Sequence, residues 1–228
     1  MNENRCKPLL NIGVLVSGHG RGSNLQAILD ACASGEIPGR VSVVIGTRQD
    51  APALERARNA GAPVVVHSPR KYEGDDAAYG EALLATLRRY AVDLICLAGY
   101  MRLLPPSVVE SYRGRIMNIH PALLPLFGGR GMYGEHVHQA VLESGMKVSG
   151  CTVHFVDEQY DSGPIILQKT VPVREDDTPQ TLAARVLAQE HRAYPEAIRL
   201  FAEGRLRLEG RRVRVLADPE ERDEGEDL

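Results

Sequence analysis

Short apolar runs alternate with longer amphipathic ones through the first half of the chain. "LLNIGVLV", "VSVVIG", "PVVVHS" and "VDLICLAG" are rich in β-branched residues and lack polar alternation, which predicts strands buried on both faces. Between them, "SNLQAILDACASG", "APALERARNAG" and "DAAYGEALLATLRRY" carry apolar residues at helical spacing. Strand and helix in turn imply a parallel sheet covered by helices on both sides, a doubly wound, Rossmann-like α/β unit. A short helix near "PPSVVESY" leads into a further strand, "RIMNIH". The pattern then changes. "KVSGCTVHFV" and "IILQKTVPV" are joined by only a short loop, so they pair antiparallel at the edge and extend a mostly parallel sheet into a mixed one. A long helix is expected from about Thr178 to about Gly204, with Thr178 as N-cap, Pro179 in the first turn and a kink or break at Pro195. "RLRLEGRRVRVL" alternates as a hairpin. The elements make one domain over 9–208, in halves 9–114 and 115–208; 209–217 end the hairpin, and 218–228 form an acidic tail expected to be disordered.

Composition narrows the class without naming it. The 228 residues, 43% of them hydrophobic, suffice for a substantial core. Seven acidic residues and one Arg lie in 218–228, so the rest carries +3 against a whole-chain charge of -3, too little for a nucleic-acid-binding domain. No apolar run has the length of a membrane span, and "MNENRCKPLL" does not read as a secretion signal; the expected location is the cytoplasm. Cys6, Cys32, Cys96 and Cys151 are scattered, without a CxxC pair or a His at zinc-ligand spacing, and read as reduced residues rather than metal ligands.

Three stretches carry candidate chemistry. "SGHGRGSNLQAI" follows the first strand and opens the first helix, where free backbone N–H groups make an anion site; Gly22, Ser23 and Asn24 suit one phosphate group. It meets neither the dinucleotide fingerprint nor the P-loop pattern. In "RIMNIHPALLP", Asn118 and His120 lie two apart on a strand and therefore point the same way. Buried polar groups need partners, so the pair has them in the fold or on a ligand. There Asn118 would donate to an oxygen that turns negative, and His120 would shuttle a proton. In "CTVHFVDEQYDSGPIILQ", an acidic turn with Asp157, Glu158 and Asp161 becomes functional if a carboxylate meets His120, raising its pKa and orienting it.

These motifs, with "LAGYMRLL" and "QEHRAYP", make the chain from about Ile12 to Leu208 resemble the phosphoribosylglycinamide formyltransferases. The resemblance implies the formyltransferase fold and transfer of a formyl group from 10-formyltetrahydrofolate to the amine of glycinamide ribonucleotide, in purine biosynthesis, with no metal. It further implies Asn118, His120 and Asp161 as the catalytic trio, with protonated His120 stabilising the oxyanion and Asp161 keeping it charged. Gly22, Ser23 and Asn24 would cradle the phosphate, and Glu190 would hold the ribose hydroxyls. Met101, Arg102, Leu103, Leu104, Asn118 and Asp157 would contact the folate, with Leu104 in the slot for its ring. The partners expected are these two small molecules, not nucleic acid or a membrane, with the chain a monomer or homodimer.

Two departures from the family pattern stand out. "HGRGSN" is a longer phosphate loop and adds Arg21, and the loop 126–134 is expanded. A basic folate contact has no clear counterpart: Asp76 falls near its position, with Arg70 or Lys71 able to reach in from the preceding loop. Methionyl-tRNA formyltransferase and formyltetrahydrofolate hydrolase share the Asn–His–Asp arrangement, but the extra C-terminal or N-terminal domain each carries does not fit this chain. A non-catalytic nucleotide-binding module would explain the first loop and leave Asn118, His120 and Asp161 without a reason.

Overall fold

The computed structural model describes residues 8–18, 20–72 and 74–217, so the expectation for 218–228 falls outside it. Seven strands form one sheet in the order β3-β2-β1-β4-β5-β6-β7: β1 (Leu10–Val16), β2 (Gly39–Gly46), β3 (Val64–Val66), β4 (Leu94–Leu97), β5 (Ile116–His120), β6 (Val148–Phe155) and β7 (Ile165–Pro172). The first five run parallel; β6 and β7 pair antiparallel, as the short connection between them requires. Strand order reverses between β1 and β4, the position at which open α/β sheets bind ligands beyond their carboxyl ends.

Six helices cover the sheet: α1 (Ser23–Ala33), α2 (Pro52–Asn59), α3 (Asp76–Arg89), α4 (Pro106–Ser111), α5 (Glu135–Glu143) and α6 (Pro179–Ala202). One core joins Ile12, Val14, Leu94, Met117 and Val153 to Leu25 and Ile28 of α1 and to Val186, Tyr194 and Ile198 of α6. The opposite face packs Leu15, Ile45, Ile95 and Ile116 against Leu83 and Leu87 of α3 and Val108 of α4. The first core draws on both expected halves, and the boundary after residue 114 falls between β4 and β5, which pair directly.

α6 begins as expected, with Thr178 and Thr181 capping each other reciprocally and Pro179 in the first turn. It does not break at Pro195; the helix runs through to Ala202. Tyr194, Ala197 and Ile198 on either side are fully buried, and that packing outweighs the local loss of one backbone hydrogen bond. The Tyr194 hydroxyl also reaches the Leu97 and Met117 carbonyls at 3.0 and 2.9 Å, pinning α6 to β4 and β5 just before Asn118. Two further strands, β8 (Leu206–Glu209) and β9 (Arg212–Val215), form the expected hairpin.

Candidate active site

Polar residues appear on β5 where its apolar sequence runs out. Ile116 belongs to the second core, and Asn118 and His120 follow on the same side of the strand. The antiparallel register sets Asn118 opposite His154 and His120 opposite Thr152, so four polar side chains from two buried strands share one face. Thr152 holds the turn that follows: its hydroxyl donates to the Ala122 carbonyl and accepts from the Leu124 N–H. His154 is a site residue the sequence reading missed. Its signal was the same as that of Asn118, an unexplained polar group on a buried strand, but its partner lies 36 residues away and becomes visible only through the register.

Asp161 arrives from the loop joining β6 to β7, and the trio converges. Its Oδ2 lies 3.5 Å from His120 Nδ1 and accepts from the Gly129 N–H at 2.9 Å. His120 Nε2 lies 2.8 Å from the Phe127 carbonyl, which can only accept, so Nε2 carries hydrogen and Nδ1, facing Asp161, is the nitrogen that titrates. Asp161 and Phe127 both have left-handed backbone, φ 52° and 54°. Such conformations cost on the order of 1–3 kcal/mol in a non-glycine residue, and here both deliver oxygen atoms to one imidazole. His154 Nδ1 donates to the Phe155 carbonyl, leaving Nε2 to accept from Asn118 Nδ2 at 3.1 Å. The other Asn118 N–H faces Asp161 Oδ1 across 3.5 Å, long enough for a ligand oxygen to compete.

The electrostatics amend one expectation. Burial pushes the His120 pKa below its ordinary value; Asp161 and the Phe127 carbonyl oppose that shift, His154 adds to it, and the net direction is down. That direction favours the neutral imidazole in the resting site, although Asp161 works to hold it charged. Burial also works against the charged Asp161 carboxylate, but His154, His120 and the Gly129 N–H outweigh it, and its pKa lies below the usual carboxylate value.

A cavity of about 390 Å3 opens beside the trio, within the range of small-ligand sites. Asn118, His120, His154 and Asp161 line it, with Met101, Arg102, Leu103 and Leu104 along one wall. Leu104 differs from the expectation of a simple pocket residue: it is 7% exposed and part of the second core, whereas Met101 and Leu103 are each nearly half exposed. Asp157 does not line the cavity. Its carboxylate instead accepts from the Gln159 N–H and the Ser162 hydroxyl, bracing the acidic loop from within. A smaller adjoining hollow is lined by Arg70, Tyr72, Asp76, Tyr79 and Arg102; Arg70 rather than Lys71 reaches it.

The glycine-rich loop forms a second cluster. Gly22 caps α1 at φ 72°, and a Cβ there would come within 2.7 Å of the Ala53 Cβ, so only glycine fits. Among the described residues no side chain caps α1, which leaves its first-turn N–H groups for an anion. Asn24 Nδ2 donates to Glu190 Oε2 at 2.6 Å, which brings together the residues expected at the phosphate and the ribose; Asn24 Oδ1 is buried without a partner. Burial pushes the Glu190 pKa up, with Asn24 opposing. Arg21 is exposed, and its carbonyl accepts from Arg56 Nε at 2.7 Å. The two clusters meet through Gly99, which lines the cavity and whose carbonyl accepts from both the N–H and the hydroxyl of Ser17, at the end of β1.

An imidazole paired with a carboxylate over a ligand-sized cavity, beyond the carboxyl ends of β4 and β5 in a mixed α/β sheet, defines an acid–base enzyme site. The family model described as Formyl transferase matches residues 10–198, and the chain belongs to that family. It is 43% identical over 213 residues to the chloroplastic phosphoribosylglycinamide formyltransferase of Arabidopsis thaliana, covering 93% of this chain and 72% of that protein. With the Escherichia coli phosphoribosylglycinamide formyltransferase it shares 44% identity over 199 residues, 87% of this chain and 90% of the relative. The solved glycinamide ribonucleotide transformylase 1 of Symbiobacterium toebii superposes with a TM-score of 0.85 at 55% identity, over 92% of this chain and 95% of that one.

Proposed function

We propose that the protein transfers the formyl group of 10-formyltetrahydrofolate to the amine of glycinamide ribonucleotide, giving the formylated ribonucleotide and tetrahydrofolate in de novo purine biosynthesis. The observation that carries this reading is the meeting of Asn118, His120 and Asp161 at the mouth of one cavity, in a chain whose relatives bear that name. The residues fit the folate: a partly apolar slot would take a flat ring, and Arg102 and Arg70, which line the adjoining hollow, would meet the carboxylates of its tail. That co-substrate supplies the activated formyl carbon. The reading places the reaction in the cytoplasm, where the described cysteines Cys32, Cys96 and Cys151 remain free thiols.

The chain's own groups then have definite tasks. Neutral His120 takes a proton at Nδ1 from the substrate amine as the new C–N bond forms, and becomes an imidazolium beside Asp161. Asn118 turns its second N–H to the formyl oxygen as that oxygen becomes negative. His120 returns the proton to the departing folate nitrogen as the old C–N bond breaks, so protons balance and the imidazole ends neutral. Asp161 thus acts after proton capture rather than before it, stabilising the imidazolium against burial. Glu190 holds the ribose hydroxyls, and Gly22, Ser23 and Asn24 at the α1 N-terminus cradle the phosphate. The deciding assay supplies 10-formyltetrahydrofolate with glycinamide ribonucleotide, with charged initiator tRNA, or with water alone; formylation of the ribonucleotide only is the expected result, and hydrolysis without it would overturn the reading.

Two substitutions separate the subsites. Ser23→Asp places negative charge at the start of α1 and should raise the KM for glycinamide ribonucleotide by about tenfold or more, with the folate KM little changed. Leu103→Asp should raise the folate KM alone, because it puts charge on the wall of the ring slot while leaving the core intact. Leu104→Asp is the poorer probe, since a carboxylate in the second core should lower Tm as well.

A further inference from the structure

The C-terminal hairpin has no part in the chemistry above, yet its turn touches the loop that carries Asp161. Gly210, at φ 60°, and Arg211 form the two-residue turn between Glu209 and Arg212. The hairpin is closed at its base by Leu216 N–H to the Arg205 carbonyl and by Arg205 Nε to the Leu216 carbonyl, and Leu206 and Val213 pack against the first core. From this footing Arg211 Nη2 donates to the Ser162 carbonyl at 2.6 Å.

Ser162 sits between two backbone positions with little freedom. Before it, Asp161 holds a left-handed conformation, which costs a non-glycine residue even though Asp tolerates it better than most. After it, Gly163 lies so close to the Phe155 carbonyl that a Cβ would come within 1.9 Å of the oxygen. A strained conformation persists only where its surroundings over-determine it. The described contacts on this loop are the Gly129 N–H, Asn118, His120 and His154 on Asp161, the Asp157 brace on Gln159 and Ser162, the Arg113–Glu158 pair at 2.6 Å, and Arg211. The Arg113–Glu158 pair is more than half exposed on both sides, and an exposed pair of that kind adds little. Arg211 is itself exposed, but it differs in acting on the backbone of the residue adjoining Asp161, through a short charge-assisted bond to a carbonyl rather than an ion pair between two mobile side chains.

We propose that Arg211 is a positioning residue for the reaction: the hairpin turn latches the Ser162 carbonyl and thereby keeps the Asp161 carboxylate against His120 Nδ1. This rests on the proposed formyl transfer for its kinetic readout but not for its structural one. The test compares the full-length protein with Arg211→Ala, Arg211→Lys and, as a control in the same hairpin, Arg214→Ala, whose guanidinium pairs with Glu209. Arg211→Ala should lower kcat about tenfold with both KM values within about twofold, since misplacing a catalytic group harms the transition state more than binding. Amide hydrogen exchange across 157–163 should quicken while the rest of the sheet keeps its protection, and the His120 pKa followed by NMR should fall as Asp161 withdraws. Arg211→Lys should recover part of the rate, and Arg214→Ala should match the wild type. Unchanged kcat and exchange in Arg211→Ala would overturn the latch. So would faster exchange throughout the sheet with a lowered Tm, which would make Arg211 merely structural. Should the wild type form no formylated ribonucleotide, the proposed reaction falls, while exchange at 157–163 still decides the latch.

Discussion

Replacing Asp161 by Asn should lower kcat by about two orders of magnitude or more while leaving both KM values nearly unchanged. The amide keeps the volume and leaves Gly129 an oxygen to donate to, so the loop should survive. What disappears is the negative charge 3.5 Å from His120 Nδ1. That charge matters most when the imidazole has taken the amine proton, because a buried imidazolium without a counter-charge is strongly disfavoured. The lost interaction thus belongs to the transition state rather than to either bound substrate. A double replacement at His120 and Asp161 should be scarcely worse than the worse single one, since the two act as one unit. Stopped-flow and steady-state rates on the folded variants check both statements; multiplicative losses, or near-normal turnover in Asp161→Asn, would return His120 to a structural role.

The same variant has a signed effect on pH dependence. Burial already sets the His120 pKa below the ordinary imidazole value of about 6.5, and Asp161 is the largest influence raising it. A base must be neutral to accept the amine proton, so the acid limb of kcat/KM should lie below about pH 6.5 and move to still lower pH in Asp161→Asn. Stability follows the same direction. A histidine whose folded pKa is depressed contributes stability that is complete above its unfolded pKa and is lost as pH falls through the folded one. Asp161, likewise depressed, contributes above its own unfolded pKa and loses that contribution on further acidification.

Much of this arrangement could be read from residues alone, and the parts that could not share a physical reason. Asn118 and His120 announced themselves because polar groups two apart on an apolar strand demand partners, and "IILQKTVPV" declared an antiparallel edge because its connection was too short to cross over. His154 has equal claim to attention, but its place depends on the β5–β6 register, a long-range property that strand periodicity does not encode. The Phe127 carbonyl that selects the His120 tautomer is backbone, which any residue supplies, and so leaves no trace in composition. The helix does not break at Pro195 because propensity is local and packing is not; Leu104 lines the cavity and also packs in the core, and the Asp157 side chain braces its own loop, because a motif locates a segment without saying which way each side chain in it faces. Asp161 raises the His120 pKa as a neighbouring carboxylate should, while the degree of desolvation that sets the net direction downward is not visible in a sequence.

A glycine outside the trio provides the strongest test of how far the site depends on backbone shape. Gly163 follows Ser162 at the point where the acidic loop turns into β7, and a Cβ built there would stand 1.9 Å from the Phe155 oxygen and 2.8 Å from its carbonyl carbon. Neither atom can yield as a flexible side chain would. The Phe155 residue is tied on both sides, its N–H donating to the Pro164 carbonyl and its own carbonyl accepting from His154 Nδ1. Gly163→Ala must therefore shift the loop, and the shift reaches Asp161 and the His154 contact that orients Asn118. Turnover should fall by about a hundredfold or more, comparable with Asp161→Asn although no reacting group has been altered. The α1 phosphate cluster shares no hydrogen bond with this loop among the described residues, so binding of glycinamide ribonucleotide, followed by calorimetry, should persist while the rate collapses. Normal turnover in Gly163→Ala would mean that the loop has room the backbone geometry denies it, and would weaken the case that Asp161 needs this one conformation to act.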